Sequence, residues 1–203
     1  MNKFETIRDS LRKIKAGSPG ELKLLDVGCR DCVLKPHVSD LAAYEGVDLF
    51  QNDAGTVNHV VDVSRGLPMP DGSYDVVVAL DLLEHLDDLQ KGLDELLRVS
   101  RGHVLILLPN MAHVSYRLTF LRRGYLNDKY NLRFNQGLDR HRWLTTGVES
   151  RAFAEEYARA RGVKVETQWF VDSKRKAAFA GFCKTFGMSP DWWAIASLHL
   201  FSK

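Results

Sequence analysis

The stretch Leu24-Leu25-Asp26-Val27-Gly28-Cys29-Arg30-Asp31-Cys32 decides how the rest of the chain is read. A short apolar run that ends in an acid and then a glycine is a buried strand entering a tight turn, and such turns open the ligand crevice of an open α/β sheet. Gly28 lets a ligand come close to the backbone. About twenty residues further on, Tyr44-Glu45-Gly46-Val47-Asp48 ends a second such run in an acid, the place from which a carboxylate takes both hydroxyls of a ribose. The pair predicts an adenosine-type cofactor.

Working outward, further strands are predicted from Asn58 to Val63, Tyr74 to Leu80, His103 to Leu108, Val163 to Val171 and Trp193 to Phe201. The run from Tyr74 to Leu80 is apolar without alternation, as a central strand covered on both faces must be. Between them lie helical patterns. Phe4, Ile7, Leu11 and Ile14 form the apolar stripe of a leading helix over 3–16, expected to cover one edge of the fold. An imperfect helix over 33–41 tolerates Pro36 only in its first turn. Leu89, Leu93, Leu96 and Leu97 line a helix from Leu86 to Ser100, with Asp87 and Asp88 at its start and Arg98 near its end, as its dipole prefers. Thr146 and Glu149 make a capping box for a helix that runs to Arg161 before Gly162, and a basic helix spans Lys174 to Phe186. Strand alternating with helix predicts one Rossmann-like, doubly wound α/β domain over 1–203. Its seven-stranded sheet is mostly parallel with the last strand antiparallel and helices on both faces. Residues 1–20 are helix and linker, and 111–145 an irregular lid on the substrate side.

A chain of 203 residues, 45% hydrophobic and 27% charged, has the composition of an ordinary globular protein. Its net charge of +2 gives no footprint for nucleic acid, and without a signal core or membrane span the expected location is the cytoplasm. Three cysteines, Cys29, Cys32 and Cys183, make no disulfide framework, and the lone CxxC lacks the further ligands zinc needs, so no metal is expected. From Met111 to Thr145 seven Arg or Lys stand against two Asp, interleaved with Tyr116, Phe120, Tyr125, Tyr130, Phe134 and Trp143.

Together these positions resemble a class I S-adenosylmethionine-dependent methyltransferase over nearly the whole chain. Asp26-Val27-Gly28-Cys29 is similar to the first motif of that superfamily, Asp48, followed by Leu49, to its ribose-binding acid, and Asp62-Val63 to the pair that meets adenine. Asp81-Leu82-Leu83-Glu84-His85-Leu86, after Leu80, resembles the segment in which Glu-His-Leu follows the fourth strand. Leu108-Pro109-Asn110 with His113 and Arg117, then Asn131-Leu132-Arg133-Phe134 and Leu138-Asp139-Arg140-His141-Arg142-Trp143, resembles small bacterial methyltransferases of cell-surface glycan and natural-product pathways. The resemblance implies S-adenosylmethionine held by Asp26, Gly28, Cys29, Asp48, Leu49, Asp62, Val63 and Leu80. It implies an acceptor met by Asn110, His113, Arg117, Tyr125, Arg142 and Trp143. The basic, aromatic lid suits an anionic or sugar-bearing acceptor, so O-methylation of a small molecule or glycan intermediate is expected, by a monomer or homodimer. An imidazole can take the acceptor's proton near neutral pH; His85, His113 and His141 are the candidates for the base, and His141 is the one expected.

A dinucleotide enzyme is disfavoured, because Arg30 and Val33 stand where Gly-x-Gly-x-x-Gly needs its second and third glycines. Arg30 also departs from the methyltransferase pattern. Its side chain either points outward or narrows the methionine end of the pocket, where Asp31 would offset its charge against a sulfonium. Two other readings stay open: an RNA methyltransferase using the basic, aromatic lid, and a non-catalytic interaction module with a degenerate cofactor site. Each residue also has a plain structural reading, Asp26 as an acid bonded within its own turn and Glu84 with His85 as a solvated helix start.

Overall fold

The computed structural model describes residues 3–18, 20–126, 128–130, 139–171 and 174–203. Its strands are β1 (Leu22–Val27), β2 (Ala42–Asp48), β3 (His59–Val60), β4 (Tyr74–Leu80), β5 (Ser100–Pro109), β6 (Lys164–Phe170) and β7 (Ala196–Ser202). They form one sheet in the order β3-β2-β1-β4-β5-β7-β6. β1 to β5 run parallel to one another, and β7 runs antiparallel to both β5 and β6. This is the doubly wound, Rossmann-like sheet with one reversed strand. The chain order turns back between β1 and β4, which makes the crevice beyond their carboxyl ends the switch point where ligands bind in such sheets.

The period of two along the central strands sends alternate residues to opposite faces. Val77 and Ala79 of β4 pack with α3 (Leu89–Val99) and α5 (Gly147–Arg161), through Leu93, Leu96, Ala154 and Tyr157. Val76 and Val78 face the other layer, where Ile7 and Leu11 of α1 (Lys3–Ala16) meet Val38 of α2 (Lys35–Val38). The leading helix therefore covers a face of the sheet, not an edge: its apolar stripe finds an apolar layer there, as a strand edge could not provide. Pro36 sits in the first turn of α2.

Local chemistry sets the boundaries. The Thr146 side chain accepts from the Glu149 amide, and Gly162, at φ +67°, ends α5 in the left-handed conformation. The helix expected from Leu86 starts instead at Leu89, because Leu86 and Asp88 are extended and the Asp88 carboxylate caps the Lys91 amide. A single 3₁₀ turn, Leu83–His85, precedes it. The third strand stops at Val60, since Asp62 caps a 3₁₀ turn over Val63–Arg65. The last strand begins at Ala196 because Ser189 and Pro190 open a turn over Pro190–Trp192. Within the expected irregular lid lies a regular helix, α4 (Val114–Arg123), capped by His113 and ended by Gly124 at φ +73°. A last helix, α6, spans Lys174–Thr185. Residues 131–138, including Asn131-Leu132-Arg133-Phe134 and Leu138, lie outside the described residues.

Candidate active site

The turn after β1 is bonded to the end of β2. The amides of Gly28 and Cys29 donate to the Val47 carbonyl at 2.8 and 3.1 Å, with Gly28 at φ +78°. A Cβ at Gly28 would stand 3.0 Å from Leu82 Cδ1, so the glycine lets Leu82 pack directly against the turn. Asp48 closes the arrangement: one carboxylate oxygen accepts from the Arg30 amide and the other from its neighbour Leu49, both at 2.7 Å.

Arg30 answers the question its identity poses. It adopts φ +50°, the left-handed conformation a glycine would take there, and it is exposed. That conformation costs a non-glycine residue about 1–2 kcal/mol, which the bonds to Asp48 and from Asn52 Nδ2 to the Arg30 carbonyl, 2.9 Å, help to offset. The backbone path of the turn is thus kept while the side chain stands in solvent. Asp81, at the end of β4, is likewise left-handed at φ +53° and pairs with Lys3 at 3.1 Å. Arg30 and Asp81, with Cys32 at φ +52°, put left-handed backbone at two adjacent strand ends, an arrangement that points to a site there.

Asp26 turns away from this space. It is 3% exposed, receives the Tyr44 hydroxyl at 2.7 Å, and is pushed up to about 7 by burial, which the Tyr44 bond only partly opposes. Cys29 and Cys32 are buried beneath the turn against Val57 and Tyr44, with sulfurs 3.6 Å apart. Burial pushes the Cys29 thiol well above its ordinary range. Asp62 is committed to its own turn, bonded to Ser64 and to Arg65, while Val63 packs into the core. Leu80 is half-buried, whereas Leu49 and Phe50, 42% and 59% exposed, flank Asp48 as bare apolar surface.

The second constellation follows β4. Leu82 presses on Gly28, and two residues later Glu84 is fully buried, with no hydrogen-bond partner for either carboxylate oxygen among the described residues. Burial pushes it up to about 8. His141 reaches it from the lid, Nε2 standing 3.8 Å from Oε1, and the rings of His85 and His141 meet edge-on at 4.6 Å. Burial first, and then the neighbouring His85 and Lys129, bring His141 down to about 4. The lid is fastened here by backbone bonds: the amides of Arg142 and Trp143 donate to the Glu84 carbonyl, and the Trp143 indole donates to the Leu86 carbonyl at 2.8 Å.

Two of the lid cations are held in ion pairs. Arg142 pairs with Asp87 at 2.7 Å and Lys129 with Asp139 at 3.0 Å. Asn110 is wholly buried, and its amide is spent inside the fold on the Ala194 carbonyl and the amides of Ala112 and Gly147. His113 is buried as the cap of α4. Arg117 donates to the Ala112 carbonyl and lies over Trp192, 4.6 Å from the ring centroid. Tyr125 is exposed beyond α4. The structure thus brings together Gly28, Asp48 and Leu49, and beside them His85, His141, Arg142 and Trp143. It gives Asn110, His113 and Arg117 tasks within the fold. Glu84, part of the Glu-His-Leu segment but assigned no role from the sequence, joins His85 and His141 in the structure. The signal for it is an acid–histidine pair at a strand end, framed by leucines that bury it.

The fold and this strand-end turn define a class of nucleotide-site proteins, and comparison narrows it. A family model for a methyltransferase domain matches residues 2–168, so the chain belongs to the methyltransferase domain family. It is 36% identical over 110 residues to a probable S-adenosylmethionine-dependent methyltransferase of Mycolicibacterium smegmatis, covering 48% of this chain and 39% of that protein. It is 28% identical over 91 residues to ajmaline N-methyltransferase of Rauvolfia serpentina, covering 45% of this chain and 31% of that protein. The chain spans less than two fifths of the length of these relatives. In fold it is similar to an S-adenosylmethionine-dependent methyltransferase from Archaeoglobus fulgidus, with a TM-score of 0.62, 17% identity, and 99% and 95% of the two chains covered.

Proposed function

We propose that this chain is an S-adenosylmethionine-dependent methyltransferase that methylates a hydroxyl of a small molecule or glycan intermediate. The observation that carries this reading is the clasp of Asp48 on the Arg30 amide. It keeps a glycine-like turn open beside Gly28 although the second glycine is missing. The residues fit the cofactor: Asp48 retains lone pairs for ribose hydroxyls, and Leu49 with Phe50 offers apolar surface to a base. When bound, the cofactor supplies an electrophilic methyl group and a thioether leaving group.

The chain's own part is to hold the acceptor oxygen in line, to keep water out, and to handle one proton. Alignment alone contributes on the order of 7–11 kcal/mol in favourable systems. A hydroxyl also has to shed its proton, and the Glu84, His85 and His141 cluster beside Leu82 and Gly28 is the place for that step. The near-neutral balance of the whole chain, +2, favours a small acceptor over RNA, whose phosphates call for a broad basic surface.

Calorimetry with S-adenosylmethionine tests the reading: the wild type binds, and Asp48→Ala binds at least tenfold more weakly. A folded wild type that takes up neither the cofactor nor its demethylated product would refute it. Similarity to ajmaline N-methyltransferase and norajmaline N-methyltransferase of Rauvolfia serpentina favours a second reading, a nitrogen acceptor. A neutral amine needs no base before attack, so nitrogen methylation would survive His141→Ala and oxygen methylation would not.

A further inference from the structure

We propose that Glu84, His85 and His141 form a binding site for one divalent first-row transition cation, set beside the turn at Gly28. One donor atom from each residue lies within 4.8 Å of the other two. Three points so spaced have a common centre about 2.8 Å or less from each, and side-chain adjustments of less than about 1 Å bring them to the roughly 2.1 Å of a metal–ligand bond.

The hydrogen bonds around the two rings decide which nitrogens keep a lone pair. His85 Nδ1 lies 2.9 Å from the Arg140 carbonyl. A carbonyl can only accept, so Nδ1 carries the proton and Nε2 keeps its lone pair. Tyr130 gives its single hydroxyl proton to the Trp143 carbonyl at 3.1 Å, so its oxygen accepts from His141 Nδ1, 2.8 Å away. His141 Nε2 therefore also keeps its lone pair, and it points at Glu84 Oε1. Both imidazoles are held by the outer-sphere contacts that orient metal-ligating histidines, one to a carbonyl and one to a hydroxyl.

Glu84 supplies the independent observation. It is fully buried, and neither of its oxygens has a hydrogen-bond partner among the described residues. The unpartnered Glu84 carboxyl and the His141 Nε2 lone pair face one another with no hydrogen bond between them, and a cation placed there would take both as ligands. A shared proton does not satisfy the geometry, because 3.8 Å from Glu84 Oε1 to His141 Nε2 is too long for a hydrogen bond. A larger cation does. Two imidazoles with one carboxylate select zinc, manganese, iron or cobalt over magnesium or calcium, which prefer oxygen. Three protein ligands leave open positions, the arrangement of catalytic sites.

Binding of the cation stands apart from the methyltransferase reading, but its task rests on it. An acceptor hydroxyl taking an open position would be acidified by the cation and lose its proton to water before attacking the methyl group. His141 then acts as a ligand and not as the base.

The test uses the full chain, stripped with a chelator and titrated with Co²⁺ in the absence of cofactor. The expected result is one equivalent bound, with visible ligand-field bands and no sulfur-to-cobalt charge transfer. Glu84→Gln and His141→Gln, shown folded by circular dichroism, should each weaken binding tenfold to a hundredfold. If Glu84→Gln does not fold, His85→Gln provides the same comparison. Absence of saturable binding, unchanged affinity in folded variants, or charge-transfer bands from Cys29 and Cys32 would overturn the proposal. Parallel calorimetry with S-adenosylmethionine separates the failures. Cobalt bound without cofactor uptake sinks the methyltransferase reading alone, and cofactor uptake without cobalt sinks the metal site alone.

Discussion

Replacing Asp26 by Asn should make this protein more stable at pH 8 than at pH 4, relative to wild type. Asp26 is 3% exposed, and burial pushes it to about 7 from an ordinary 3.8, with the Tyr44 hydroxyl opposing part of that rise. The folded state therefore holds a proton that the unfolded chain has released over the window from about pH 4 to about pH 7. Because the native state binds more protons there, stability falls as pH rises through the window and levels off above it. The difference of about three units corresponds to about 4 kcal/mol at about 1.4 kcal/mol per unit. Asn cannot ionise and can still accept from Tyr44, so the stability of Asp26→Asn minus that of wild type should climb by 2–4 kcal/mol, roughly, between pH 4 and pH 8. Urea denaturation of both proteins across that range measures the difference directly and cancels every other titrating group. A difference that stays flat would show Asp26 to be ionised in the fold and the reasoning to be wrong.

Arg30→Gly should raise stability by about 1 kcal/mol at most, because glycine takes φ +50° without the side-chain penalty, whereas Arg30→Ala should bring no gain. Denaturant midpoints of the two variants decide it. Gly28→Ala combines φ +78° with a Cβ 3.0 Å from Leu82, so it should cost about 1–2 kcal/mol and weaken S-adenosylmethionine binding by calorimetry. Leu93→Ala empties a fully buried position between α3 and the sheet and should cost roughly 2–5 kcal/mol in a urea melt. Thr146→Ala removes the cap on the Glu149 amide and should cost about 1 kcal/mol by the same assay.

Much of the architecture was legible because it is written in local chemistry. The strand from Tyr74 to Leu80 matches its apolar run residue for residue, and the capping box and Gly162 mark both ends of α5. What could not be read is equally specific. α4 buries none of its residues and leaves Leu118, Phe120 and Leu121 exposed, so it carries no stripe facing a core. β3 lost its predicted end because Asp62 and Ser64 bond each other in preference to the ladder. At the site, Asp48 was legible from its distance to Gly28 along the chain. The roles of Arg30 and Glu84 were not: one depends on a backbone angle and the other on a lid that arrives more than fifty residues later.

The reversed strand has a consequence for how the protein is made. β7 pairs along its length with β5 on one side and β6 on the other, so β6 joins the sheet only through it. Until the residues from Ala196 to Ser202 have emerged from the ribosome, β5 presents an open apolar border and β6 has no neighbour to zip onto. Assembly of that half must finish in one late, long-range step, the kind that is slow and prone to pairing with the wrong chain. A folding lesion in β7, such as a proline at Leu198, would therefore show itself as aggregation of nascent protein before it showed itself as lost activity.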